Sequence, residues 1–232
     1  VIMTNFRIVT RLAFSLLISV SLHAQVSLSG GMGMINGFTS DNSFLGLHGG
    51  FELPSNNDIT FYARVGHYFS QQDDNPGTSS VTLIDWTDNT MPFQLQVQNN
   101  STFNYTTIEG GTRYYIGNDY DNGLSAYGGT NGMLVFNQVK IQHDKTDITG
   151  TYEWEDYYTL STAGEDRGVW INIALGLQGG VKYSIPALGT VYFDVSGQYI
   201  ILGQPNNLIA QSTNQFSQLF FVFTVGFRKD LY

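Results

Sequence analysis

Apolar side chains recur at every second position through most of this chain, and that alternation constrains its fold more than any other feature. In 169–185, Val169, Ile171, Ile173, Leu175, Leu177, Val181, Tyr183 and Ile185 share one parity. The other parity holds Trp170, Asn172, Ala174, Gly176, Gln178, Gly180, Lys182 and Ser184. The stretch from Val191 to Ile201 repeats the pattern, as does the last, with Leu219, Phe221, Phe223, Val225 and Phe227 on one face. Successive side chains of a strand point to opposite faces, so each segment carries one continuous apolar face and one small, polar face. A helical core is excluded by this period, and the absence of Cys excludes disulfides, thiolate metal sites and thiol catalysis.

Eight such segments are predicted, at about 26–36, 43–53, 59–70, 103–116, 122–137, 169–184, 189–203 and 216–229. Each is long enough for a tilted strand to cross a bilayer, which takes roughly 9–11 residues. The connections 54–58, 117–121 and 185–188 are short, while those at about 71–102, 138–168 and 204–215 are long. The first, 37–42, is the one short member of the second set. Short turns at one end and long loops at the other form the layout of an eight-stranded antiparallel up-and-down transmembrane β-barrel. An even strand count places both ends of the chain on the short-turn side.

The rival fold is a soluble barrel or jelly roll, apolar inside and charged outside. Charged residues make up only 12% of this chain, about half the usual share. The non-apolar face is Gly, Ser, Gln, Asn and Tyr, which suits a narrow lumen better than a solvated surface. Phe44, Phe51, Phe61, Phe69, Phe103, Tyr114, Phe136, Tyr199 and Phe227 lie near segment ends, where aromatic girdles are expected. With 10 Lys and Arg against 19 Asp and Glu, the chain lacks the basic face of a nucleic-acid partner.

The opening 24 residues read as a targeting segment. Arg7 and Arg11 precede the short apolar run from Leu12 to Leu22, and Ala24 supplies a small residue before an expected cut. The barrel is then expected over 25–232. These strands resemble the small outer-membrane β-barrels of Gram-negative bacteria, of OmpA or OmpX barrel size. The Ala24-Gln25 junction and the Tyr-, Asn- and Gly-rich strands are most similar to members from Bacteroidota. The resemblance implies residence in the outer membrane with both termini periplasmic, contact with outer-membrane lipid and lipopolysaccharide, and handling by the barrel-assembly machinery. Phe223, Gly226, Phe227 and Tyr232 resemble the C-terminal signal which that machinery reads, with Arg228 and Lys229 interrupting its usual ending.

Parity sends six charges inward: Glu52, Arg64, Glu109, Arg113, Lys182 and Asp194. Eight strands enclose just enough space for side chains to fill, and buried charges there must be paired. The expected pairs are Arg64 with Glu109 and Lys182 with Asp194, and Glu52 with Arg113 completes the cluster. His48 shares the Glu52 face. Such a cluster is a polar plug that fixes register, and the competing reading is a narrow ion path.

Catalytic candidates are few. The resemblance brings in lipid A deacylases, which place Ser two residues from His on one strand; here His67 and Ser70 are three apart and on opposite faces. His143 sits in an acidic stretch, where a lone His is ordinarily solvated. Glu153, Glu155 and Asp156 are a weak oxygen-ligand set for Ca²⁺ without EF-hand spacing. The glycines at 30–33 and 128–129 lack the context of a phosphate loop, so no cofactor is expected. Asn99, Asn100 and Asn104 begin chance glycosylation sequons. The long loops carry Trp86, Tyr152, Trp154, Tyr157 and Tyr158, and aromatics on loops held by a rigid scaffold are where recognition sits. These features favour a non-enzymatic structural protein or accessory subunit of a larger outer-membrane complex. The alternatives are a lipid A-modifying enzyme and a narrow channel.

Overall fold

The computed structural model describes residues 26–37, 43–72, 77–83, 94–143, 152–154, 165–203 and 218–231. Ten strands follow in chain order: β1 (Val26–Gly37), β2 (Ser43–Pro54), β3 (Ile59–Gln72), β4 (Gly77–Leu83), β5 (Gln94–Ile116), β6 (Leu124–His143), β7 (Tyr152–Trp154), β8 (Glu165–Ile185), β9 (Gly189–Leu202) and β10 (Leu219–Leu231). Eight of them close into an antiparallel barrel in chain order. β1 pairs β2, β2 pairs β3, and β3 pairs β5 from Ile59↔Tyr114 to Gln72↔Thr102. β5 pairs β6, β6 pairs β8, β8 pairs β9 and β9 pairs β10. The ring closes between the first and last strands, from Val26↔Leu231 to Gly37↔Phe220.

The short turns are locally encoded. At 55–58, the Asn56 side-chain carbonyl accepts the amides of Asp58 and Ile59, at 2.9 and 2.8 Å, which is the chain reversal Asn favours. At 186–188 the reversal uses Ala187 at φ 65° and Gly189 at φ 141°, with the Leu188 amide donating to the Ile185 carbonyl at 3.1 Å.

Two stretches expected as loops differ from that reading. Strand β3 runs to Gln72, β4 lies within 71–102, and β5 begins at Gln94. Likewise β6 continues to His143 and β8 starts at Glu165, inside 138–168. β4 pairs the outer part of β5 from Gly77↔Asn99 to Thr82↔Gln94, and β7 pairs β4 from Val81↔Trp154 to Leu83↔Tyr152. A ribbon of sheet therefore stands beyond the loop end of the barrel on the side of β5 and β6.

The outside of the barrel is apolar all round. Met32 on β1, Leu47 on β2, Val65 on β3, Ile108 on β5, Leu177 on β8, Phe193 on β9 and Val225 on β10 are all exposed, Leu177 at 69%. A continuous apolar exterior far exceeds the patches that soluble monomers tolerate. A closed barrel also leaves no unpaired strand edge for lipid to meet. This is a bilayer-spanning surface. Phe51, Phe61, Tyr114, Tyr183 and Phe227 ring its short-turn end, the girdle position. Phe44 and Phe103, expected in that girdle, instead point inward and are buried. Both sit on the parity of Glu52 and Glu109 respectively, so strand geometry leaves them no other direction.

Candidate functional site: the filled lumen

The lumen has two tiers. At the loop end, Ile35, Phe44, Tyr68, Phe103, Tyr105, Met133, Val135, Val139, Ala174, Phe220 and Val222 form an apolar cluster inside the barrel, with Trp170 and Ile200 packed against it. The rings of Phe44 and Tyr105 meet edge to face with centroids 4.7 Å apart. At the short-turn end the filling is ionic. The sequence pattern located that lower tier, but it passed over the upper one, whose residues lie on the parity taken as polar.

Six charges of the lower tier join in alternating sign. Glu109 takes Arg64 by two nitrogens, Nε at 2.5 Å and Nη2 at 3.0 Å. Arg64 Nη1 reaches Asp194 at 3.0 Å, and Arg113 Nη2 reaches the same carboxylate oxygen at 2.7 Å. Arg113 Nη1 then binds Glu52 at 2.7 Å, and Arg228 Nη1 binds Glu52 at 3.3 Å. The chain thus runs Glu109, Arg64, Asp194, Arg113, Glu52, Arg228, and ties together β5, β3, β9, β2 and β10. All six side chains are buried, so only full pairing and extra hydrogen bonds offset the cost of desolvation. Those extra bonds are present at Glu109 and Glu52, while Asp194 Oδ1, Arg113 Nε and Arg228 Nε are buried without a hydrogen-bond partner among the described residues. Tyr62 and Asn131 each donate to Glu109 at 2.6 Å; Thr60 and Tyr115 donate to Glu52 at 2.5 and 2.7 Å. The Arg113 guanidinium stacks on Tyr62 and Tyr127, 4.4 and 4.9 Å from their centroids. His48 Nε2 lies 2.8 Å from the Tyr192 hydroxyl on the edge of this cluster.

The tyrosines fit because the facing positions are glycine. A Cβ on Gly226 would overlap the Tyr192 hydroxyl, and one on Gly180 would overlap the Tyr127 ring. Gly226, expected as part of the C-terminal signal, therefore has a packing role in the lumen, whereas Phe223 and Phe227 of that signal sit on the outward parity of β10.

Two features of the lower tier depart from the sequence reading. Lys182 does not pair with Asp194. In register it faces Tyr192, and Asp194 faces Gly180. Its Nζ instead donates to the carbonyls of Asp119, Asn122 and Gly123, at 2.7, 2.6 and 3.4 Å, and to Ser184 Oγ at 3.2 Å. It thereby holds the β5–β6 turn. Lys182→Met removes the cation serving those carbonyls and is expected to lower stability by about 1.5–3 kcal/mol, read from the urea midpoint of the vesicle-bound barrel. The second departure is Arg228, absent from the expected cluster. Its parity with Thr224 and Gly226 was the available signal, masked by reading Arg228 as a break in the terminal strand.

The remaining candidates do not converge. His67 is exposed on the barrel exterior with Nδ1 3.0 Å from Thr106 Oγ1, while Ser70 Oγ accepts from Asn104 at 3.4 Å. Among the described residues, no three His, Asp or Glu side chains are grouped to hold a metal ion. Tyr152, Glu153 and Trp154 form β7. The targeting segment 1–24, Trp86, Glu155, Asp156, Tyr157, Tyr158 and Tyr232 lie outside the described residues.

No protein-family model and no curated protein matches the chain. Among solved structures it is similar to Neisserial surface protein A, at 12% identity over 90% of this chain and 97% of that one, with a TM-score of 0.48. It is similar to a major outer membrane protein from Thermus thermophilus, at 11% identity over 89% and 100%, with a TM-score of 0.46. It is also similar to the attachment invasion locus protein of Yersinia pestis, at 12% identity over 89% and 97%, with a TM-score of 0.42. At these identities no activity, ligand or partner passes from those proteins to this chain.

Proposed function

We propose that the protein is a non-enzymatic barrel of the Gram-negative outer membrane, of the Bacteroidota type, with its short turns and both termini in the periplasm. It serves as a rigid mount for an external recognition surface and acts as an accessory or interaction subunit of a larger outer-membrane complex. The supporting observation is the sheet beyond the barrel. β5, β6 and β8 have 23, 20 and 21 residues, roughly twice what a span requires, and β4 and β7 broaden their outer part. A strand extended that far past the bilayer holds Trp154, through the pairing of β7 with β4, on a scaffold of sheet, where recognition residues are commonly mounted. Outer-membrane lipid and lipopolysaccharide surround the base of this sheet, and the barrel-assembly machinery is its partner during biogenesis. A lumen filled at both tiers supports a mount rather than a pore.

The test is purification from native membranes in mild detergent, with mass spectrometry of whatever accompanies the protein. A stoichiometric outer-membrane partner is expected, lost on Trp154→Ala or Tyr157→Ala while the barrel still shows its folded mobility on an unheated gel. A protein that always purifies alone refutes the accessory role, and a partner retained by both variants moves the contact away from these aromatics. Altered lipid A in a strain lacking the gene would instead favour the enzyme reading at His67.

A further inference from the structure

The β5–β6 turn does more than reverse the chain. Residues 117–123 fold back under the short-turn mouth, and Tyr120 is buried there, 3% exposed. Its backbone amide donates to the Asn57 carbonyl of the neighbouring turn at 3.0 Å. Its ring lies beneath the Arg228 guanidinium, 3.7 Å from the centroid, and Arg228 Nη2 donates to the Tyr120 carbonyl at 2.7 Å. Its hydroxyl donates to Ser27 Oγ, and Ser27 Oγ donates to Asp230 Oδ1 at 2.5 Å. The same hydroxyl lies 3.4 Å from that carboxylate oxygen. Ser27 belongs to β1, while Arg228 and Asp230 belong to β10. Ser27 and Asp230 face each other in the ladder that closes the ring.

We propose that this turn is a latch on the closing seam. β1 and β10 are the strands furthest apart in sequence, so their ladder carries the largest loop-closure cost in the barrel. The base of that ladder is also where both strands end, at Val26 and Leu231, and strand ends are where local opening begins. One buried tyrosine from a hairpin that forms locally bonds both strands at that weak point. Lys182, donating to three carbonyls of the turn, holds the latch in its docked shape. The seam therefore acquires full protection only when the β5–β6 turn is docked, and opening of the turn releases the first and last strands together.

The test is amide hydrogen exchange by mass spectrometry on the chain folded into phosphatidylcholine vesicles. Tyr120→Phe keeps the ring over Arg228 and deletes the hydroxyl. It is expected to raise exchange about tenfold in peptides covering 26–30 and 227–231, with the β2–β3 and β6–β8 ladders unchanged. Tyr62→Phe deletes a comparable buried phenol bond, that to Glu109, and is expected to leave the seam as in the parent. Seam protection equal to the parent in folded Tyr120→Phe barrels would overturn the latch, as would an equal rise in every ladder or an equal seam response to Tyr62→Phe. Should Tyr120→Phe fail to fold, Ser27→Ala removes the bond from the β1 side with the turn intact. The seam-confined rise must appear there, and unchanged or uniform exchange in that variant overturns the proposal.

Discussion

Asp194→Leu is expected to cost the barrel about 3–5 kcal/mol, the penalty for leaving buried charges without their partner. Asp194 is fully buried and stands in the middle of the ionic chain, between Arg64 of β3 and Arg113 of β5. Thr224 of β10 also donates to it, at 3.3 Å. Without its carboxylate, two guanidiniums share an interior with one anion each, and three strands lose their common tie. The measurement is equilibrium unfolding in urea of the vesicle-bound barrel, followed by tryptophan fluorescence and by mobility on an unheated gel. Adding Arg64→Met to Asp194→Leu is expected to cost less than the two single losses summed, because the second change removes one of the stranded cations. A single-variant loss under about 1 kcal/mol, the range of solvent-exposed ion pairs, would mean that water reaches this tier.

The fold was legible because lipid enforces the dyad period on every strand that touches it. Where lipid ends, so does the signal. The outer part of β5, from Gln94 to Thr102, has only Leu95 and Val97 as apolar residues and reads as loop, yet it continues the ladder with β6 up to Asn99↔His143. The lower tier was legible in part for a related reason. Arg64 and Glu109 are direct register partners on adjacent strands, so parity and approximate height suffice to predict that pair. Lys182 and Asp194 are also on adjacent strands, but offset by two residues. Asp194 thereby comes within reach of Arg64 and Arg113 across the lumen, while Lys182 meets the β5–β6 turn. No strand-by-strand pattern contains a contact across the interior, and none predicts that Tyr120, in a turn, folds under the mouth. The inward aromatics Phe44, Phe103 and Phe220 were hidden differently. Phe44 and Phe103, lying near segment ends, read as girdle aromatics until neighbouring strands are seen to place Phe220 and Val222 inside at the same end.

That upper tier leads to the second large expected effect. Phe44→Ala is expected to cost about 3–5 kcal/mol, since the ring is 2% exposed and its cluster is anchored on several rigid strands that cannot collapse into the gap. It shares no hydrogen-bonding or ion-pair partner with Asp194, so the losses from Phe44→Ala and Asp194→Leu should add to within about 0.5 kcal/mol. Conduction should not add. An apolar constriction excludes water and ions by dewetting, and the ionic chain below fills the remaining width with side chains held by mutual bonds. These are two seals in series, and a pore needs both to fail. Planar-bilayer recordings should therefore be silent for the parent, for Phe44→Ala and for Asp194→Leu, with leak currents first appearing when both changes are combined. Current through Phe44→Ala alone, at a stability that keeps the barrel folded, would show that ions already pass the lower tier and that only the aromatic layer closes the barrel. Current through the unmodified protein would refute the sealed lumen altogether and restore the narrow channel as the better account of its buried charges.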